Sequence, residues 1–145
     1  MLNINNPGNI RNSSTAYIGE VTPSKNKSFK TFLTMEFGYR AMFKLLNTYI
    51  TEHKLETIEK MINRYAPPFE NNTSNYVKFV CDKTGFSKDK KFTKSHPDLI
   101  HLVFAMSWIE NGVKPSLRQV EIGYDMINIQ SVEEGLNIIK ENNNL

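Results

Sequence analysis

Disulfide chemistry is closed to this sequence: its 145 residues include one cysteine, Cys81, and a lone thiol forms no internal bridge. One cysteine and three scattered histidines (His53, His96 and His101) supply no zinc cluster. Long apolar runs are also missing, since the longest, residues 99–109, is too short to span a bilayer. The first residues, Met-Leu-Asn-Ile-Asn-Asn-Pro, contain no basic segment followed by an apolar run, so no secretion signal is expected and synthesis is expected in a cytoplasm. Seven glycines and six prolines exclude a collagen-like chain. No single sign of charge dominates: 18 Lys and Arg against 15 Asp and Glu leave +3. That balance does not by itself make a nucleic-acid protein, though it favours contact with an anionic polymer.

What is present suffices for one core. Hydrophobic residues make up 39% and aromatics 11%, enough for a domain of this length without a covalent staple. A single domain over 1–145 is expected, with a frayed tail from about 140. Cys81, beside Phe79 and Val80, is expected as a buried small hydrophobe.

The patterning is mainly α with a small β element near the start. Residues 17–21 alternate and residues 28–33 form a second strand-like run, a hairpin pattern. From Thr34, a plausible N-cap, Phe37, Ala41, Leu45 and Tyr49 recur at helical spacing. A second helix runs from Thr57 to Tyr65 and stops at Pro67-Pro68. A third, capped by Asn72 or Thr73, carries Tyr76, Val77, Val80 and Cys81 and ends near Gly85. Residues 88–94 are a lysine-rich loop. Ser95-His96-Pro97-Asp98 then combines a capping hydroxyl, a first-turn proline and an acid. The helix it opens is apolar nearly all round, which predicts a place at the centre of the core. It halts at Glu110-Asn111-Gly112. Ser116 and Ser131 open two more helices through capping boxes.

Glu110 is the most informative residue. It closes the most apolar helix, where burial and the negative end of the helix dipole both favour the protonated carboxyl. A carboxylic acid held protonated near neutral pH is what general-acid cleavage of a glycosidic bond requires. The competing explanation is a solvated last-turn residue followed by an ordinary Asn-Gly cap. A second constellation, residues 64–76, crowds Tyr65, Glu70, Asn71, Thr73 and Tyr76 around a helix-to-helix turn. Aromatic faces stack on pyranose rings and amides bond their hydroxyls, yet the same residues also suit a proline-rich connector with a helix cap. A third, Asn5-Asn6-Pro7-Gly8-Asn9-Ile10-Arg11, presents amide donors to a ligand or is simply a turn. Glu20 and Glu36 are the nearest candidates for a second carboxylate, with a structural role favoured for Glu36 in the first turn of its helix.

Taken in order, residues 5–11, Phe29-x-x-Phe32, Glu36-Phe37-Gly38-Tyr39-Arg40-Ala41, the 63–76 segment and Glu110-Asn111-Gly112 resemble a family of small phage and prophage proteins described as virion structural or endolysin-like. A more distant similarity joins the same motifs to the lysozyme-like domain of bacterial autolysin and flagellar-type glucosaminidases. There a helix ending in Glu-Ser-Gly precedes an Asn-Asn turn, a hairpin, a Phe-x-x-Tyr strand and a Tyr-Ala turn. Here the glutamate helix comes last, so the resemblance implies a circularly permuted lysozyme-like domain, an arrangement open to domains whose termini lie together. Asn111 stands where that family has serine, and Pro67-Pro68 with a longer insertion replaces its Thr-Asp-Pro.

The resemblance implies a peptidoglycan-degrading glycosidase that cleaves β-1,4 bonds of the glycan strand without metal or organic cofactor. Glu110 would be the general acid. Tyr76 would position the sugar or stabilise the transition state, and Glu20 would activate water unless the substrate's own acetamido group or hydroxyl replaces it. Asn5, Asn6, Asn9, Arg11, Tyr65, Glu70, Asn71, Thr73 and Asn111 would bind substrate. The expected partners are glycan strands and other virion proteins, with no nucleic acid and no membrane insertion. The expected place of action is the cell wall after delivery by a phage particle, a holin or lysis, or the virion itself. The alternative is a non-catalytic virion structural or wall-binding protein on the same fold; a nucleic-acid module built on residues 88–94 is a weaker third.

Overall fold

In the computed structural model, which describes residues 4–143, the chain runs β1 (Glu20–Val21), β2 (Thr31–Phe32), α1 (Met35–Glu52), α2 (Ile58–Tyr65), α3 (Thr73–Thr84), α4 (Leu99–Asn111), α5 (Leu117–Asp125) and α6 (Val132–Asn143). It is mainly helical, with one short antiparallel hairpin in which Glu20 faces Phe32 and Val21 faces Thr31. Capping side chains set most helix starts. Thr34, Thr57, Asn72 and Ser116 each accept a hydrogen bond from the backbone N–H three residues on, which satisfies one otherwise orphaned donor. Ser131 does the same for Glu134, whose carboxylate accepts in return from the Gln130 N–H. Helix α6 continues through Asn143, past the expected start of a frayed tail at 140; residues 144 and 145 lie outside the described part.

Two expectations need correction. Ser95 does not cap α4. Its φ is +56°, its N–H and hydroxyl are both engaged by the Asn47 amide of α1, and its carbonyl accepts from the Tyr124 hydroxyl. Held from two sides, Ser95 cannot turn toward the helix, so α4 begins later, at Leu99, after Asp98 donates its N–H to His96 Nδ1. Nor is α4 the central helix. That place belongs to α1, buried without a break from Glu36 to Phe43 and packed most extensively against α5. Helix α4 buries Leu99, Leu102, Val103, Ala105 and Met106, while Phe104 and Trp108 stay half-exposed on its far side. Their rings meet edge to face, and the Lys83 ammonium sits 4.4 Å from the Trp108 ring centroid. A cation over an indole face is a stable surface arrangement, so an apolar helix need not be enclosed.

The segment from Ile4 to Arg11 is stitched to the outside of the hairpin. Phe32 N–H donates to Ile4 O and Lys30 N–H to Ile10 O. Asn6, 6% exposed, bonds the carbonyls of Ile10 and Lys30 through Nδ2 and accepts from Ile10 N–H. Pro7 lies directly on Gly38 of α1, where an added Cβ would run into the proline ring and the Asn5 carbonyl. Gly38→Ala would gain about 0.5–1 kcal/mol in helix propensity, but overpacking against rigid groups costs about 1–3 kcal/mol. The clash wins, and thermal unfolding of Gly38→Ala is expected at a lower temperature than that of the native protein; an unchanged or higher midpoint would show that the strap is not seated as described.

Candidate functional site

Glu110 lies in the last turn of α4, and the chain leaves the helix at once through Gly112, whose φ of +71° is readily adopted only without a side chain. Asn111 ties that turn to the strap by donating to Pro7 O and to Ser107 O. On the strap, Asn9 adopts φ +50°, a conformation that asparagine tolerates, and this aims its amide at the end of α4. Asn9 Nδ2 donates to Glu110 Oε1 at 2.9 Å and to the Glu110 carbonyl at 3.2 Å.

Two open clefts meet at this pair. The first, about 540 Å³, lies between the strap, Tyr39 and Ser107, and residues 113–119. The second, about 460 Å³, lies between residues 9–17, Leu45 and Tyr49 of α1, and the end of α2 with the turn that follows. Asn9 and Glu110 line both. The half-buried carboxyl therefore stands in the wall that the two clefts share.

Burial raises the Glu110 pKa above the ordinary carboxylate value, against the opposing pull of the Asn9 amide, the Tyr76 hydroxyl and the Arg11 charge. Desolvation prevails because three partial compensations do not replace bulk water. Tyr76 is buried behind the carboxyl. Its hydroxyl interacts with Glu110 but falls short of hydrogen-bond geometry, and it is the one fully buried side-chain polar atom without a partner among the described residues. The Tyr65 hydroxyl donates to Gly8 O, which pins α2 to the strap. Burial, and next the Glu110 charge, push both phenols well above their usual pKa. They are neutral across any working pH.

The expected site residues divide. Asn9, Arg11, Tyr65, Glu70 and Asn71 line the second cleft with Glu110, and Asn5, Asn6, Asn9 and Asn111 line the first. The amides of Asn5 and Asn6 are nevertheless engaged by backbone, Asn5 with Phe32 O and Leu33 O. They hold the strap rather than offer free donors. Thr73 is buried and bonds Ala66 O, so it fixes the turn and lines neither cleft. Tyr76 lines neither cleft as well; it touches the carboxyl and not a ligand, so its expected contact with substrate is withdrawn.

Glu20 is not brought to Glu110. Its Oε2 is 2.9 Å from Lys30 Nζ, its Oε1 accepts from Tyr17 N–H, and it lines neither cleft. Its expected role in activating water is therefore corrected to a structural one. Tyr17 and Tyr49, which the sequence did not mark as site residues, line the second cleft beside Arg64, the first residue of the 64–76 constellation, whose guanidinium is 5.5 Å from the Tyr49 ring centroid. Burial, opposed by that guanidinium, pushes the Tyr49 phenol up to about 12. The available signal was an aromatic on α1 and a cation late in α2, with nothing in the sequence to join them.

Among the described residues no cluster of three or more His, Cys, Asp or Glu is placed to hold a metal ion. No helix there is long and apolar enough to cross a membrane. Two of the four lysines of the 88–94 loop are engaged: Lys88 pairs with Glu59 at 3.2 Å, and Lys90 pairs with Asp98 and lies over Phe86 and Phe92.

No family model matches the sequence. Over 115 residues the chain is 38% identical to Protein P5 of Pseudoalteromonas phage PM2, a match covering 77% of this chain and 70% of that protein.

Proposed function

The chain belongs to the family of Protein P5 of phage PM2, and from that premise we propose that it is a phage glycosidase that cleaves β-1,4 bonds of peptidoglycan glycan strands with Glu110 as general acid. The observation that carries this is a carboxyl with raised proton affinity that lines two adjoining open clefts, which together form the groove of this proposal. A glycan strand lying along the groove sets a glycosidic oxygen beside Glu110, which gives its proton to the leaving sugar. Asn9 fixes the carboxyl rotamer by holding Oε1, which leaves the other oxygen to carry the proton. Arg11 lies over the Phe29 ring and Arg64 over the Tyr49 ring, and these two guanidinium groups offer the second cleft hydrogen-bond donors for sugar hydroxyls. The lysozyme-like, circularly permuted relationship implied by the sequence motifs belongs to this proposal.

Glu70, exposed on the 67–71 turn, lines the second cleft only. With no second half-buried acid lining the clefts among the described residues, the substrate's own hydroxyl completes the displacement: it attacks the anomeric carbon, closes an anhydro ring and returns its proton to the Glu110 carboxylate. Digestion of purified peptidoglycan followed by mass spectrometry tests this. The expected fragments carry anhydro ends, one water lighter than reducing ends. Ordinary reducing ends would mean that water completes the step, by opening an intermediate formed by the acetamido group or with help from a water-activating group, and intact glycan after incubation with folded protein would favour a non-catalytic virion or wall-binding role.

Tyr76 provides a separate check as a positioning residue. Its hydroxyl favours the ionised form of Glu110, so its removal raises the Glu110 pKa further. In Tyr76→Phe the alkaline limb of the pH–rate profile is expected to move to higher pH. A profile that stays in place would remove Tyr76 from the site.

A further inference from the structure

A third opening, about 700 Å³, lies between α2, α3 and residues 86–88, and it shares Asn71 with the second cleft. The 67–71 turn is thus the ridge between the two. Its shape is fixed, since the Glu70 and Asn71 N–H groups both donate to Pro67 O at 3.0 Å and the Asn71 amide adds a third bond to the same oxygen. The two openings are therefore rigid neighbours.

Their chemistry differs. The second cleft is lined by the tyrosines Tyr17, Tyr49 and Tyr65 with two arginines and two glutamates, whereas this cavity combines Val77, Cys81 and Phe86 with two lysines and one glutamate. Glu59 and Lys88 form an exposed ion pair there, and Lys78 has no ion-pair partner among the described residues. An exposed pair is worth only about 0–1 kcal/mol, so a ligand carrying its own carboxylate and ammonium exchanges with it at little cost. A short peptide with small apolar side chains, a free carboxylate and an amine fits these features. A bare neutral sugar does not use them.

Resting on the glycosidase proposed above, we propose that this cavity receives the peptide branch of the strand whose sugar backbone lies beside Glu110. The protein therefore selects peptide-bearing glycan over bare glycan. The backbone occupies the groove, the branch crosses the ridge at Asn71, and its terminal carboxylate meets Lys78.

Cys81 supplies a readout independent of turnover, since it lines the cavity and is the only cysteine of the chain. The test uses the full chain carrying Glu110→Gln, with two probes: a four-sugar peptidoglycan fragment bearing its peptides, and the same fragment with the peptides removed. The peptide-bearing fragment is expected to bind at least about tenfold more tightly, a difference of about 1.4 kcal/mol, and to slow alkylation of Cys81. The stripped fragment is expected to bind without protecting the thiol. Adding Lys78→Glu, an exposed change checked for folding by circular dichroism, is expected to abolish the difference and leave the stripped fragment's affinity unchanged. Equal binding of both fragments without protection of Cys81 overturns the branch site and leaves the glycan groove standing. Binding of neither fragment overturns the glycan groove and the branch site together.

Discussion

Glu110→Gln is expected to clear a peptidoglycan suspension about 10²–10⁴-fold more slowly than the native protein, the contribution typical of a general acid. The substitution is conservative where the fold is concerned, because a glutamine oxygen still accepts from Asn9 Nδ2 in the place of Oε1. The native rate should fall as pH rises through the raised Glu110 pKa, since only the protonated carboxyl can donate. The same shift has a consequence for stability. A carboxyl whose pKa is higher folded than unfolded stabilises the native state fully below the unfolded value, and that contribution is lost as pH rises through the folded value. Glutamine never ionises. The Gln variant should therefore match the native protein in acid and melt at a higher temperature above the raised pKa, the reverse of what loss of a structural salt bridge would give. Undiminished clearing by a folded Gln variant would end the case for Glu110 as the acid.

The largest effect on stability is expected at Lys30, which is 1% exposed and donates to Glu20 Oε2, Thr15 O and Ser13 O. Removal of one partner from a buried ion pair leaves the other charge without compensation and costs about 3–5 kcal/mol. Lys30→Met should lose roughly that much in denaturant titration. Replacing both partners, as Glu20→Leu with Lys30→Met, removes both charges and should recover a large part of the loss, leaving the penalty of the freed Ser13 and Thr15 carbonyls. A double variant as unstable as the sum of the singles would mean that the two residues do not act as a pair. The contrast with Glu110 is instructive, since Glu20 forms a direct ion pair with Lys30 whereas Glu110 has the Asn9 amide as its hydrogen-bond partner and feels the Arg11 charge without an ion pair.

Local signals in the sequence were reliable where the partner lay within one turn. Thr34, Thr57, Asn72 and Ser116 cap helices because the N–H they bond is three residues away. Ser95 has the same local pattern and fails, because Asn47, 48 positions earlier, competes for it. Glu20 was misassigned for a similar reason: its partner Lys30 comes from across the hairpin, and nothing in the alternation of residues 17–21 announces a buried lysine. Glu110 was legible because its helix is apolar and ends abruptly, features written in consecutive residues. That Asn9, rather than Asn5 or Asn6, would reach it depended on which of three asparagines the strap engages with backbone, a matter settled only by tertiary packing.

Asn9 and Glu110 are 101 positions apart, and Pro7 and Asn111 are 104 apart. Closing so long a loop carries an entropic penalty that only a nearly complete core can offset. The groove is thus divided between an early and a late stretch of polypeptide. A nascent chain on the ribosome holds one bank of it until Glu110 has emerged, and a fragment separated at the exposed 88–94 loop holds one bank thereafter. Whatever the groove acts upon, the cell that makes this protein meets the finished groove only in whole, folded molecules.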